Sequence, residues 1–208
     1  MCIRDRYERF GLSFDQTYQD LILALELPEL RPEHLEGKVA SVMDEIEKIC
    51  SGKFVFQGSG KVTFVSADGE LSANAMAEGF RKVGIISRLL ETGTIQPGVS
   101  GPLFWDEPES NLNPRLLEWL VGAILELARS GQQVILATHD YILLKWFDLL
   151  SSDANEDRVT YHALFKDEEG KIKVDSTNDY LAISPNAIEA TFGELYKQEI
   201  DRQFKEAE

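Results

Sequence analysis

The residues best placed to do chemistry are two carboxylates and a histidine, each at the end of a short apolar run. Leu103-Phe104-Trp105 leads into Asp106-Glu107-Pro108, and Val134–Thr138 leads into His139-Asp140, with His139 33 residues after Asp106. A carboxylate at the C-terminal edge of a buried parallel strand faces the crevice where open α/β sheets bind ligands. Two adjacent carboxylates there are costly unless a cation or a proton uses them. A Mg²⁺ ion held mainly by phosphates takes one or two protein carboxylates and keeps several waters. The second carboxylate is then available to polarise an attacking water. Taken singly, an acidic pair at a loop also caps helices, and a lone histidine is more often structural than catalytic. The coincidence of two strand ends is what groups Asp106, Glu107 and His139.

The elements that must position them follow from periodicity. Gly101–Trp105 reads as a short, fully buried strand. Asn113-Pro114 supplies an N-cap and a first-turn proline for a helix that ends at Gly131. Val134–Thr138 is a second buried strand, so the segment is a βαβ unit with parallel strands. Upstream, residues 12–27 place Phe14, Tyr18, Leu21, Ile22 and Leu25 at helical spacing, ending near Pro28. A second helix follows Pro32, and its Leu35, Val39, Val42, Met43, Ile46 and Ile49 form the seam of a two-helix arm. Lys53–Gln57 and Lys61–Ser66 flank Gly58-Ser59-Gly60 as a hairpin. Residues 77–91 are a helix with Phe80, Val83, Ile86 and Leu90 on one face. The tail predicts a hairpin, Thr160–Phe165 with Lys171–Asp175, and an amphipathic helix from Asn186. Trp105, Trp119 and Trp146 are expected on buried faces, and His34 and His162 in structural positions.

Length and charge bound the rest. A chain of 208 residues with 43% hydrophobic and 27% charged residues is a globular protein of about one domain. A net charge of −15 argues against this piece alone wrapping nucleic acid, whose footprint is a basic stripe. Cys2 and Cys50 are too few for a disulfide framework, so the expected compartment is the reducing cytoplasm; Cys50 ends an apolar stripe and reads as a core residue. No apolar run approaches a membrane span and no secretory signal is visible. Met1-Cys2-Ile3-Arg4-Asp5-Arg6 is the translation of ATG TGT ATA AGA GAC AGR, which resembles the mosaic-end adapter of transposase-based sequencing libraries. Residues 1–6 are therefore expected to be an adapter artefact, with the reading frame opening inside a longer gene.

Gly101-Pro-Leu-Phe-Trp-Asp-Glu-Pro-Glu-Ser-Asn-Leu-Asn-Pro114 resembles the Walker B strand and D-loop of ABC-type ATPases. The nearest likeness is to the SMC/RecF-like and overcoming-lysogenization-defect-like proteins known as AAA family ATPases. Ala137-Thr-His-Asp-Tyr-Ile-Leu-Leu144 is similar to their switch, or H-loop, and Met76–Lys82 sits where they carry the signature motif. The resemblance spans about residues 10–200. It implies a partial P-loop NTPase fold, α/β, with a parallel sheet core, a helical arm and a β-hairpin insert. It also implies ATP and Mg²⁺ as ligands and a homodimer closed around nucleotide, with DNA or an effector protein as possible partners of the parent. Carried over residue by residue, Asp106 holds Mg²⁺ through a water, Glu107 orients the hydrolytic water and His139 contacts the γ-phosphate. Asn113 works across the dimer interface. Aligning Gly79 with the second glycine of the signature puts Ala77 at its serine and Glu78 at its first glycine. The serine hydroxyl is thus absent, while the helix N-terminus at Gly79, with Arg81 and Lys82, still offers positive charge to an anion.

A complete ATPase of this kind needs a Walker A loop to cradle the phosphates, and the 208 residues contain none. Gly58-Ser59-Gly60-Lys61-Val62 has Val55 where a glycine is required and Val62 where the metal-binding hydroxyl belongs. The expected organisation is therefore residues 7–70 as arm and hairpin, 71–150 as ATPase core and 151–208 as a C-terminal extension. The parent is expected to hydrolyse ATP, and this portion alone to be inactive. The alternative is a non-catalytic engagement module that completes a partner's ATP site. A nuclease-linked role finds no acidic metal cluster after His139.

Overall fold

The computed structural model describes residues 15–31, 37–57 and 61–206. The hexapeptide, Cys2, Pro32, His34 and the Gly58–Gly60 turn lie outside them. Helix α1, Gln16–Glu26, starts at Asp15, whose carboxylate accepts from the Thr17 amide at 2.9 Å. Its Leu21, Ala24 and Leu25 pack on the core, whereas Tyr18, expected on the same face, is exposed. Helix α2, Lys38–Cys50, begins after Gly37 and stops at Ser51, a left-handed residue with φ 53°.

Strands β1 (Gly52–Phe56), β2 (Val62–Ser66) and β3 (Gly69–Ser72) form an antiparallel sheet in that order. The predicted hairpin pairs Phe56 with Val62 and Phe54 with Phe64. β3 extends it, turning at Ala67-Asp68-Gly69, with Gly69 at φ 124°. Helix α3, Glu78–Glu91, follows a short 3₁₀ turn. Strand β4, Leu103–Asp106, leads through a second 3₁₀ turn, Pro114–Leu116, into helix α4, Leu117–Arg129. β5, Val134–Ala137, then pairs parallel with β4, so the βαβ unit forms where the sequence places it. Helix α5, Tyr141–Leu150, precedes the hairpin β6 (Tyr161–Lys166) and β7 (Ile172–Thr177) and the long helix α6, Ala187–Glu206. Among the described residues no helix is long and apolar enough to cross a membrane.

The core centres on α4, whose Leu117, Leu120, Val121, Ile124, Leu125 and Leu127 are buried. It packs against α2 on one side and α5 on the other, and α1 packs on α3. Among the described residues the two N-terminal helices thus pack mainly on α3 and α4. Val42 and Ile46 of α2, at 1% and 5% exposure, are spent against α4, because full burial of each such side chain is worth about 1.5–3 kcal/mol, more than a two-helix seam open to water on its flanks returns. The parallel strands also depart from expectation. Leu103, Trp105, Val134 and Leu136 pack on the core, but Phe104 is 71% and Ile135 40% exposed. The described helices cover only one face of this two-stranded sheet, so the alternation is one-sided instead of fully buried. Trp119, on the outer side of α4, is likewise exposed at 45%. Cys50 is buried, and its thiol is pushed up to about 12 by desolvation and the nearby Glu47 carboxylate.

Two polar ties fasten the periphery. Arg129, at the end of α4, donates through Nε and Nη2 to both oxygens of Asp157 at 2.8 and 2.7 Å. That hydrogen bonding holds the Asp157 carboxyl below its usual range. Arg88, near the end of α3, is buried and donates to the carbonyls of Leu25 and Leu27 at 3.1 and 2.9 Å, fixing the end of α1.

Candidate functional site

The register that pairs Asp106 with Ala137 makes β4 and β5 end level. The Glu107 amide adds one more rung, donating to the Ala137 carbonyl at 2.8 Å. Glu107 itself has φ 44°, a left-handed conformation that costs a side-chain-bearing residue about 1 kcal/mol. This bend turns the chain off the sheet edge and sends the side chain toward the neighbouring strand end. There the Glu107 carboxylate lies 3.1 Å from Nδ1 of His139. The two side chains are 44% and 79% exposed, and Asp106 is exposed beside them, so all three are open to a ligand. The structure thus brings together the three residues that the strand-end reading grouped.

The segment after Glu107 is held from two sides. Ser110 and Leu112 close successive turns by donating their amides to the Glu107 and Glu109 carbonyls at 3.1 and 3.0 Å, and Pro108 is buried beneath them. On the α3 side, the Lys82 ammonium reaches the Glu107 carbonyl at 3.5 Å and hydrogen-bonds the Ser110 hydroxyl. Asn111, at φ 64°, donates through Nδ2 to Glu78 at 3.1 Å. On the β5 side, Thr138 Oγ1 donates to Glu109 Oε1 at 2.6 Å and accepts from the Asp140 amide at 3.0 Å. Asp140 in turn caps α5 by accepting from the Leu143 amide at 2.6 Å.

The remaining candidates divide. Gly79 sits against this segment: a Cβ there would meet the Asn111 carbonyl at 2.6 Å and Leu112 Cδ2 at 2.7 Å. Its need for glycine comes from that approach of helix and loop. Gly79→Ala is expected to lower stability by about 1–3 kcal/mol as the loop is forced away, read as a fall in the urea midpoint and loss of the Asn111–Glu78 contact. Lys82 is turned inward to the 107–110 segment and is engaged there, while Arg81 is exposed in the first turn of α3. Asn113 acts as a helix cap, its Oδ1 accepting from the Arg115 amide at 3.0 Å. Glu109, Ser110 and Thr138 are contributors that sequence reasoning missed. Their signal was present as polar residues beside Asp106-Glu107 and His139, but the contacts themselves are tertiary. His162 lies on β6, exposed, with Nδ1 2.7 Å from Ser176 Oγ, far along the chain from the site.

Residues 5–145, more than half of the chain, match the family described as "AAA domain, putative AbiEii toxin, Type IV TA system". No curated protein sequence matches. Among solved structures, the Smc head domain with coiled coil and joint from Pyrococcus yayanosii is 16% identical with a TM-score of 0.50, covering 78% of this chain and 29% of that one. The SMC head domain from Thermotoga maritima is 16% identical at a TM-score of 0.46, covering 66% and 46%. An SMC ATPase described for ATP-driven dimerization and DNA-stimulated activation is 14% identical at a TM-score of 0.46, covering 77% and 92%. The chain thus spans less than half the length of the first two. With a parallel βαβ unit flanked by helices and the fold of an SMC head, this chain belongs to that AAA domain family, on the P-loop ATPase fold.

Proposed function

We propose that this chain carries the hydrolytic edge of an ABC/SMC-like ATPase. The observation behind the proposal is the pairing of Glu107 with His139 at level ends of adjacent parallel strands, beside Asp106. The donor set suits the ligands. Asp106 offers a hard, exposed oxygen, and among the described residues no group of three or more acid, histidine or cysteine side chains gathers to cage a metal. That is the pattern for Mg²⁺ that arrives with phosphates. When bound, Mg²⁺ supplies neutralisation of phosphate charge. Asp106 would hold it, Glu107 accepts the proton of the attacking water and sets its direction, and His139 donates toward the γ-phosphate. Arg81, exposed in the first turn of α3, is the residue offered to the nucleotide of a facing protomer, with Gly79 packing that turn against the 111–112 loop and Asn113 at the same dimer interface. Lys82 assists from behind by holding the 107–110 segment.

The phosphate cradle is absent from these 208 residues, so in this reading it comes from outside them. The working enzyme is then a cytoplasmic homodimer whose parent binds DNA or an effector protein, with residues 71–150 as the core and 151–208 as its extension. The test is to sequence the DNA upstream of Tyr7 and to assay Mg-ATP hydrolysis by this chain beside the complete gene product. No turnover is expected from the 208 residues alone, and turnover is expected from a product that carries a Walker A loop. A stop codon directly before Tyr7 favours the engagement module instead. Turnover by the isolated chain that vanishes in Glu107→Gln removes the need for an outside cradle.

A further inference from the structure

We propose that Glu109 is a positioning residue for His139, acting through Thr138. His139 is 79% exposed and its ring touches the protein at the Glu107 carboxylate, so its placement depends on the backbone that carries it. That backbone is pinned at both neighbours. Thr138 is tied to Glu109 by a 2.6 Å hydrogen bond to Oε1, and Asp140 is tied back to Thr138 and forward to Leu143. One continuous chain of hydrogen bonds therefore runs from the loop after β4, around the histidine, into the first turn of α5.

Glu109 belongs to the same tight segment as Glu107, whose carbonyl accepts from Ser110 and whose amide donates to Ala137. Its carboxylate thus locks the loop bearing the acid to the loop bearing the histidine at a second point, beyond the strand pairing itself. The link is charge-assisted and short, the stronger class of hydrogen bond. Glu109 Oε2 is buried with no protein partner among the described residues, so Thr138 is the contact through which the carboxylate acts. The half-buried carboxylate makes its contact with Thr138. Its effect is on geometry, since a group displaced by 1 Å loses much of its catalytic value.

This inference rests on His139 having the role proposed above, but its test needs no nucleotide. In the full 208-residue chain, NMR reads two signatures: cross-relaxation between the His139 ring and the Glu107 side chain, and a slowly exchanging Thr138 hydroxyl proton. Both are expected in the parent chain, in Glu109→Gln, which keeps the Oε1 acceptor, and in Thr138→Ser, which keeps the donor. Both are expected to be lost in Glu109→Ala. In Thr138→Val, nearly the same shape without the hydroxyl, the ring contact is expected to be lost. Folding of each variant is checked from the dispersed amide spectrum. Should Glu109→Ala not fold, Thr138→Val decides. An unchanged His139–Glu107 contact in a folded Glu109→Ala or Thr138→Val chain overturns the proposal, as does its absence from the parent. A normally coupled pair together with no turnover from a complete product that carries a Walker A loop would instead count against the ATPase reading alone.

Discussion

Glu107→Gln is expected to lower Mg-ATP turnover of the assembled ATPase by about 10²–10⁴-fold while leaving nucleotide binding in place. Removing a positioned general base carries a loss of that order, equivalent to about 3–5 kcal/mol of transition-state stabilisation. The geometry makes the substitution clean. The backbone of Glu107 is fixed by the hydrogen bond its amide donates to the Ala137 carbonyl and by the Lys82 and Ser110 contacts to its own carbonyl, none of which involves the side chain. Glutamine has the same shape and keeps Oε1 facing His139 Nδ1, so the bend at φ 44° and the level strand ends persist. What disappears is the negative charge that accepts a proton. Because the side chain is 44% exposed, the urea midpoint should move little. Steady-state turnover together with equilibrium binding of a fluorescent nucleotide separates the terms. Equal losses of binding and turnover, or a turnover unchanged, would reject Glu107 as the base.

Part of this site was legible in one dimension. The βαβ unit announces itself through two apolar runs, Asn113-Pro114 at the helix start and Gly131 at its end, and the structure places each of these at the matching boundary. Chemistry at strand ends follows from that topology, so Asp106, Glu107 and His139 could be grouped before their distances were known. Other features were invisible for identifiable reasons. Helix α5 packs Ile142, Leu143, Leu144, Trp146, Phe147, Leu149 and Leu150 into ten residues, a short apolar run that length alone does not assign to helix or strand. β3 had a signal, Asp68-Gly69, but its four exposed residues lack alternation. The one-sided exposure of β4 and β5 depends on what covers a sheet, which short apolar runs do not encode. Lys82 shows the limit most clearly: its partner Ser110 is 28 residues away, and only the packing of α3 against the loop brings the two together.

Arg88 offers the largest expected effect on stability. Its guanidinium, at 6% exposure, serves four acceptors: the Leu25 and Leu27 carbonyls, Glu29 at 2.9 Å and Glu91 at 3.1 Å. It also lies 4.5 Å from the Phe56 ring centre, joining β1 to the clasp. Arg88→Met keeps much of the volume but removes every donor, leaving Glu91 and two carbonyls without their partner. Breaking a buried ion pair in this way costs about 3–5 kcal/mol, and Glu29, being largely exposed, adds little. The pH dependence carries its own sign. Burial raises the Glu91 carboxyl above its usual range, and Arg88 opposes that rise by hydrogen bond and charge. A group raised in the folded state binds its proton more tightly there than in the unfolded chain, so its contribution is present at acid pH and fades as pH climbs through the folded value. Without Arg88 the carboxyl rises further. The penalty of Arg88→Met should therefore shrink on acidification from pH 7 toward the ordinary glutamate range, and Glu91→Gln in the same chain should recover part of the loss and flatten its pH dependence. Urea unfolding of the single and double variants across that range measures both effects, and a penalty independent of pH in Arg88→Met would show that Glu91 is not the partner left exposed to the cost.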